Sequence, residues 1–183
     1  YVEDLPTKSG QKRCAKMAVL NLSVLPLPID NDSADGYNEK ESWSQKERFA
    51  MEFNEKVHVG ATHEVHGAVT EENTAATVGS GSLAVYATPA MAALMERAAA
   101  ELCAAGCPEG WTTVGTEIAI QHKAATPVGL DVRAVAEVTA VDGRAVTLKV
   151  TAYDTREEIG AGTHTRFAVA VQKFMAKAEG KRV

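Results

Sequence analysis

Apolar and polar positions follow different rules in different parts of this chain. Residues 1–50 show no sustained period: "LPTKSGQKRC" and "IDNDSADGYNEKESWSQKER" are polar and turn-rich, and the one apolar run, "MAVLNLSVLPLPI" (17–29), is broken by two prolines. From residue 51 the pattern becomes regular. "KVHVGATHEVHGAV" (56–69) alternates and predicts a strand. "TEENTAATVGSGSLAVY" (70–86) carries glycines and serines from Gly79 to Ser82 and predicts a loop or a short irregular element. Within 85–103 the residues Met91, Leu94, Met95, Ala98 and Leu102 recur at helical spacing. Thr88 reads as the N-cap of that helix and Pro89 as its first helical residue, with Gly106 and Pro108 as the stop. The period then changes to two. Strands are predicted at 112–125, 129–141, 144–154 and 157–174, and the Asp142-Gly143 pair marks a hairpin between the second and third of these.

One long helix set among antiparallel strands is an α+β layer architecture. The order of the elements and the alanine-rich helix suit a hotdog fold, an antiparallel sheet wrapped around one central helix. A single sheet with one helix buries little, so the expectation is a homodimer or a dimer of dimers, with sheets joined edge to edge.

Composition narrows the function. The 183 residues are 45% hydrophobic and 23% charged, enough for one domain with a core. A net charge of −5 and 5% aromatic residues offer neither the basic face nor the stacking platform that nucleic acid requires. No apolar run approaches the roughly 18 residues of a membrane span. Cys14, Cys103 and Cys107 form no disulfide framework, which points to a reducing cytoplasm. A basic stretch before an apolar run resembles a signal peptide, but no small-residue cleavage site follows it. Lys46-Glu47 is encodable as a bacterial ribosome-binding sequence just upstream of Met51. That reads Met51 as the native start, 1–50 as upstream sequence translated in frame, and 51–183 as the domain; a disordered native tail is the other reading of 1–50.

The segment "IQHKAATPVGLDVRAVAEVTAVDGRAVTLKVTAYDTREEIGAGTHTRF" and the helix "ATPAMAALMERA" resemble the thioesterase family typified by fluoroacetyl-CoA thioesterase. Several motifs recur in the same order over roughly residues 57–175. The resemblance implies catalytic roles for Thr88 at the start of the helix, Glu96 within it and His122 on the following strand. It implies substrate-binding roles for Gly115 in "TVGTE" and for Arg166 in "GTHTR", with an acyl-CoA as substrate and no cofactor. One stretch departs from the family. "VGSGSLAVY" has glycines and serines where the lid phenylalanines of fluoroacetyl-selective members align. The resemblance therefore carries the fold and the hydrolysis, and not the choice of acyl group.

Thioester hydrolysis needs a nucleophile or base, a proton path and an oxyanion site. Glu96 is the candidate base or nucleophile. A mid-helix glutamate is ordinarily solvated, but alanines at positions 92, 93, 99 and 100 permit close approach of another backbone and favour burial. Thr88 is a cap, a positioning group or a nucleophile at the positive end of the helix dipole. His122 suits proton relay to the leaving thiolate or orientation of water. Arg166 and Lys123 are the cations to be placed near coenzyme A phosphates, with a solvated charge the plainer reading of Lys123. His164 reads as structural. His63 and His66 in "THEVH" lie on opposite faces of a strand, so no metal site is expected there. Two rival functions use the same pocket: hydration of an enoyl thioester, and acyl-CoA binding without turnover.

Overall fold

A computed structural model describes residues 45–182. The readings of 1–44, including Cys14 and the apolar run 17–29, lie outside the described residues. The chain runs through α1 (Gln45–Lys56), β1 (Thr62–Ala68), a 3-10 turn (Glu71–Asn73), α2 (Ala75–Val78) and α3 (Thr88–Ala104). It continues through β2 (Trp111–His122), β3 (Asp131–Asp142), β4 (Ala145–Asp154), β5 (Glu158–Ala170) and α4 (Val171–Glu179).

The strands form one sheet in the order β1-β3-β4-β5-β2, antiparallel throughout. α3 packs against all five. The alternation written in the strands explains which face it meets. Val132, Ala134, Ala136 and Val138 of β3 are buried at every second position, as are Val146, Leu148 and Val150 of β4. They pack with Met91, Leu94, Met95, Ala98 and Leu102 of α3, the helical stripe, in one core. The Asp142-Gly143 hairpin forms where expected, with Gly143 at φ +57°, a conformation that glycine adopts without steric cost. Among the described residues no helix is long and apolar enough to cross a membrane.

Three elements differ from the expectation. Residues 45–56 form a helix that crosses the boundary drawn at Met51, and the predicted first strand starts only at Thr62. Phe49, Phe53 and Val57 are fully or almost fully buried, and Phe49 stacks on Trp111 at 4.4 Å. These three residues sit at i, i+4 and i+8, so a helical stripe was present in the sequence and masked by the charges around it. The strand expected over 157–174 stops at Ala170, and α4 takes over. Alanine, lysine, glutamine and methionine there are good helix formers. The loop over 70–86 holds two short helical turns and two isolated bridges, Thr74 with Tyr86 and Val85 with Pro127, that fix the entry to α3.

Candidate active site

Two of the polar groups on α3 hold the expected site residues. The first lies at its N-terminus. Thr88 was expected to cap the helix, but Ala87 occupies the cap and makes no side-chain bond. The Thr88 hydroxyl is spent elsewhere: Oγ1 lies 2.8 Å from His122 Nδ1, across to the end of β2. His122 Nε2 is buried and has no hydrogen-bond partner among the described residues. A buried polar atom without a partner is costly, and native structures keep few of them. A cavity of about 330 Å³ opens beside this pair, walled by Tyr86, Lys123 and the small side chains of Ala75, Ser80, Ala124 and Ala125. Burial pushes the Tyr86 phenol up to about 12, and its hydroxyl donates to the Ala90 carbonyl at 3.1 Å. A larger depression of about 600 Å³ lies at the β4–β5 turn, among Arg133, Tyr153 and Arg156. It contains none of the five expected site residues, so chemistry rather than size locates the site.

The second group lies in the middle of α3. Glu96 Oε1 accepts from Arg166 Nη1 at 3.2 Å. Arg166 was expected to meet a coenzyme A phosphate. Instead it is 5% exposed, and its other bonds also point inward. Nε donates to Thr113 Oγ1 at 2.9 Å and Nη2 to the Thr113 carbonyl at 2.8 Å. The same Nη1 lies 3.2 Å from His164 Nε2, and His164 Nδ1 lies 2.7 Å from the Glu117 carbonyl. Strand periodicity explains the arrangement: His164, Arg166 and Ala168 alternate inward along β5 and are all buried. Gly115 is paired with Arg166 across the β2–β5 ladder, at a register shift between Gly115 and Glu117. A Cβ at position 115 would overlap Glu96 Oε1 and come within 3.0 Å of His164 Cε1. Glycine is therefore what lets the carboxylate reach the sheet.

Glu96 itself is not buried in the single chain. Its side chain is 47% exposed, and Ala93, one of the alanines expected to cover it, is exposed as well. Small residues leave room for a neighbour but cannot themselves enclose a carboxylate. Lys123 is exposed and paired with Glu158. His63 pairs with Glu101 at 2.9 Å and His66 with Glu64 at 3.1 Å. Cys103 and Cys107 are free, and burial pushes the Cys103 thiol up to about 11, far from a thiolate nucleophile.

Known proteins match this fold and this sequence. The model of the fluoroacetyl-CoA-specific thioesterase family matches residues 69–172, a span that holds all five expected site residues. The chain belongs to that family. A curated fluoroacetyl-CoA thioesterase of Streptantibioticus cattleyicolor is 42% identical over 97 residues, 53% of this chain and 70% of that protein. A solved mutant of the fluoroacetyl-CoA thioesterase FlK in complex with acetyl-CoA is 34% identical, with a TM-score of 0.65 over 69% of this chain and 99% of that one. A hot-dog-like protein from Thermanaerovibrio acidaminovorans shares the fold, with a TM-score of 0.66 at 24% identity over 72% of this chain and 97% of that one. The hotdog architecture expected from the order of elements is the fold of this chain.

Proposed function

We propose that this thioester hydrolase cleaves a small acyl-CoA to the free acid and coenzyme A, with Glu96, Thr88 and His122 as its catalytic residues. Family membership supports the reaction class. The observation that carries the site assignment is the Thr88–His122 bond, which leaves a buried, unpartnered Nε2 beside an open cavity. Glu96 takes a proton from a water molecule whose oxygen attacks the carbonyl carbon, or attacks that carbon itself and forms an anhydride that water then cleaves to the free acid and Glu96. The carbon–sulfur bond breaks, and His122 passes a proton toward the departing thiolate. Gly115 leaves room for Glu96 and the thioester.

We infer that a second copy joins the two groups on α3 into one site. Thr88 and Glu96 are eight residues apart, which is about 12 Å along a helix. β2 is an edge strand, and its residues 115–119 are all exposed, Ile118 among them at 37%. An unpaired edge of this length invites pairing. A homodimer joined along β2 brings the Glu96 region of one subunit toward the Thr88 region of its partner and covers the exposed Ala93. The substrate then lies at the interface. A reducing cytoplasm agrees with the free thiols of Cys103 and Cys107.

Thiol release from a panel of acyl-CoAs, comparing the full chain with Glu96→Ala, tests the reading. Loss of a positioned base is expected to lower turnover on the order of 10²–10⁴-fold. Glu96 is half exposed, so the variant should stay folded. Enoyl hydration without thiol release, or tight binding without turnover, would replace hydrolysis as the function.

A further inference from the structure

We propose that His164 is a positioning residue of the reaction, acting through Arg166 to hold the Glu96 carboxylate in place. The proposal rests on the role of Glu96 proposed above. Its basis is a directed chain of hydrogen bonds. A guanidinium has only donors and keeps its proton. The contact between Arg166 Nη1 and His164 Nε2, at 3.2 Å, therefore requires Nε2 to accept. Nδ1 then carries the ring proton and donates it to the Glu117 carbonyl at 2.7 Å. The ring is 2% exposed. Burial lowers its proton affinity, with the Arg166 charge adding to that effect, which keeps Nε2 free to accept.

Each nitrogen of the Arg166 guanidinium thus has a fixed partner. Two point to Thr113 of β2, and the third, Nη1, is shared between His164 and Glu96 Oε1. One Nη1 hydrogen goes to the imidazole and the other to the carboxylate. His164 sets the rotation of that nitrogen, and its own tautomer is set by the carbonyl at the β2 irregularity. A neutral histidine fills this place where an apolar residue would leave Nη1 one acceptor short. Its Nε2 lies 3.8 Å from Glu96 Oε1, too far to hydrogen-bond the carboxylate itself.

Two amide variants separate the ring's two ends. His164→Gln places an oxygen near Nε2 and retains an acceptor for Arg166. His164→Asn places its amide near Nδ1, retains the bond to Glu117 and leaves Nη1 without the acceptor. The expected result for Asn is a kcat lowered roughly ten- to a hundredfold with KM little changed, since misplacement of about 1 Å can cost that much. Gln restores most of the rate. Equal kcat in Asn and parent, or losses in both variants that track only their thermal stability, would overturn the proposal. NMR gives a readout independent of turnover. The parent should show the Nδ1–H tautomer and slow exchange of the Arg166 Nη protons, and Asn should show fast exchange. An Nε2–H tautomer in the parent also overturns it, whether or not thiol is released.

Discussion

The two ends of the candidate site are built in opposite ways. At the start of α3 the side chains of Thr88 and His122 hold each other, and among the described residues the second imidazole nitrogen has no partner. Midway along the helix, Glu96 is held by an arginine with every nitrogen engaged and by a glycine that makes space for it. A side chain that must exchange protons with a substrate benefits from an open valence. A carboxylate that must stay at one point beside a half-exposed surface benefits from a rigid support. The partners of Glu96 thus lie behind it, in the sheet, while the Thr88–His122 pair faces a cavity.

The strongest way to break that contrast is to crowd the rigid end. Gly115→Ala puts a methyl group where Glu96 Oε1 lies, and the exposed β2 edge lets the strand tolerate it. Turnover should fall by about 10²-fold through displacement of the carboxylate, with the fold kept. A variant with normal kcat would show that Glu96 does not need to reach β2. The open end responds less. Thr88→Ala removes the hydroxyl, leaves His122 without its partner and should lower the rate at least about tenfold, whereas Thr88→Ser should keep most of it. Near-normal turnover in the alanine variant excludes a nucleophilic Thr88.

The buried imidazole makes the rigid end sensitive to acid. Burial holds the proton affinity of His164 below its ordinary value of 6.5. Above that pH neither the folded nor the unfolded chain carries the proton, and His164 adds no pH dependence. Below it the unfolded chain takes up a proton that the folded chain refuses. Stability therefore falls as pH drops from 6.5 toward the lower folded value. Thermal unfolding between about pH 7 and about pH 5 should steepen for the parent relative to His164→Gln, and parallel curves would contradict a neutral buried ring. The smallest effect belongs to Lys123. Its pair with Glu158 is exposed, so Lys123→Ala should change stability by less than about 1 kcal/mol, and a larger change in chemical denaturation would give that pair a structural role.

Particular residues show what could be read in advance. The stripe of Met91, Leu94, Met95, Ala98 and Leu102 and the alternation in β3 and β4 were legible because each needs only local periodicity. Phe49, Phe53 and Val57 carried the same signal for α1, but charged neighbours and the change of pattern near residue 51 obscured it. His164 read as structural because one histidine on a strand announces nothing. Its meaning depends on Arg166 two residues on and on a helix that crosses the sheet 68 residues earlier in the chain.

Local pattern in the chain was enough for the stripe of α3, the strands β2 to β5 and the hairpin at Asp142-Gly143, and the motifs were enough for the family. Periodicity and turn chemistry are properties of short segments, whereas the candidate roles of Thr88, Glu96 and His122 rest on the family resemblance. The folded chain sets where the polar atoms go: Thr88 to His122 instead of the helix cap, Arg166 to Glu96 and Thr113 instead of a coenzyme A phosphate, and Glu96 to a half-exposed surface instead of a buried one. The reason is physical. Hydrogen bonds reach only about 3 Å, so their partners are fixed by strand register and helix placement, which residues distant in the sequence set together.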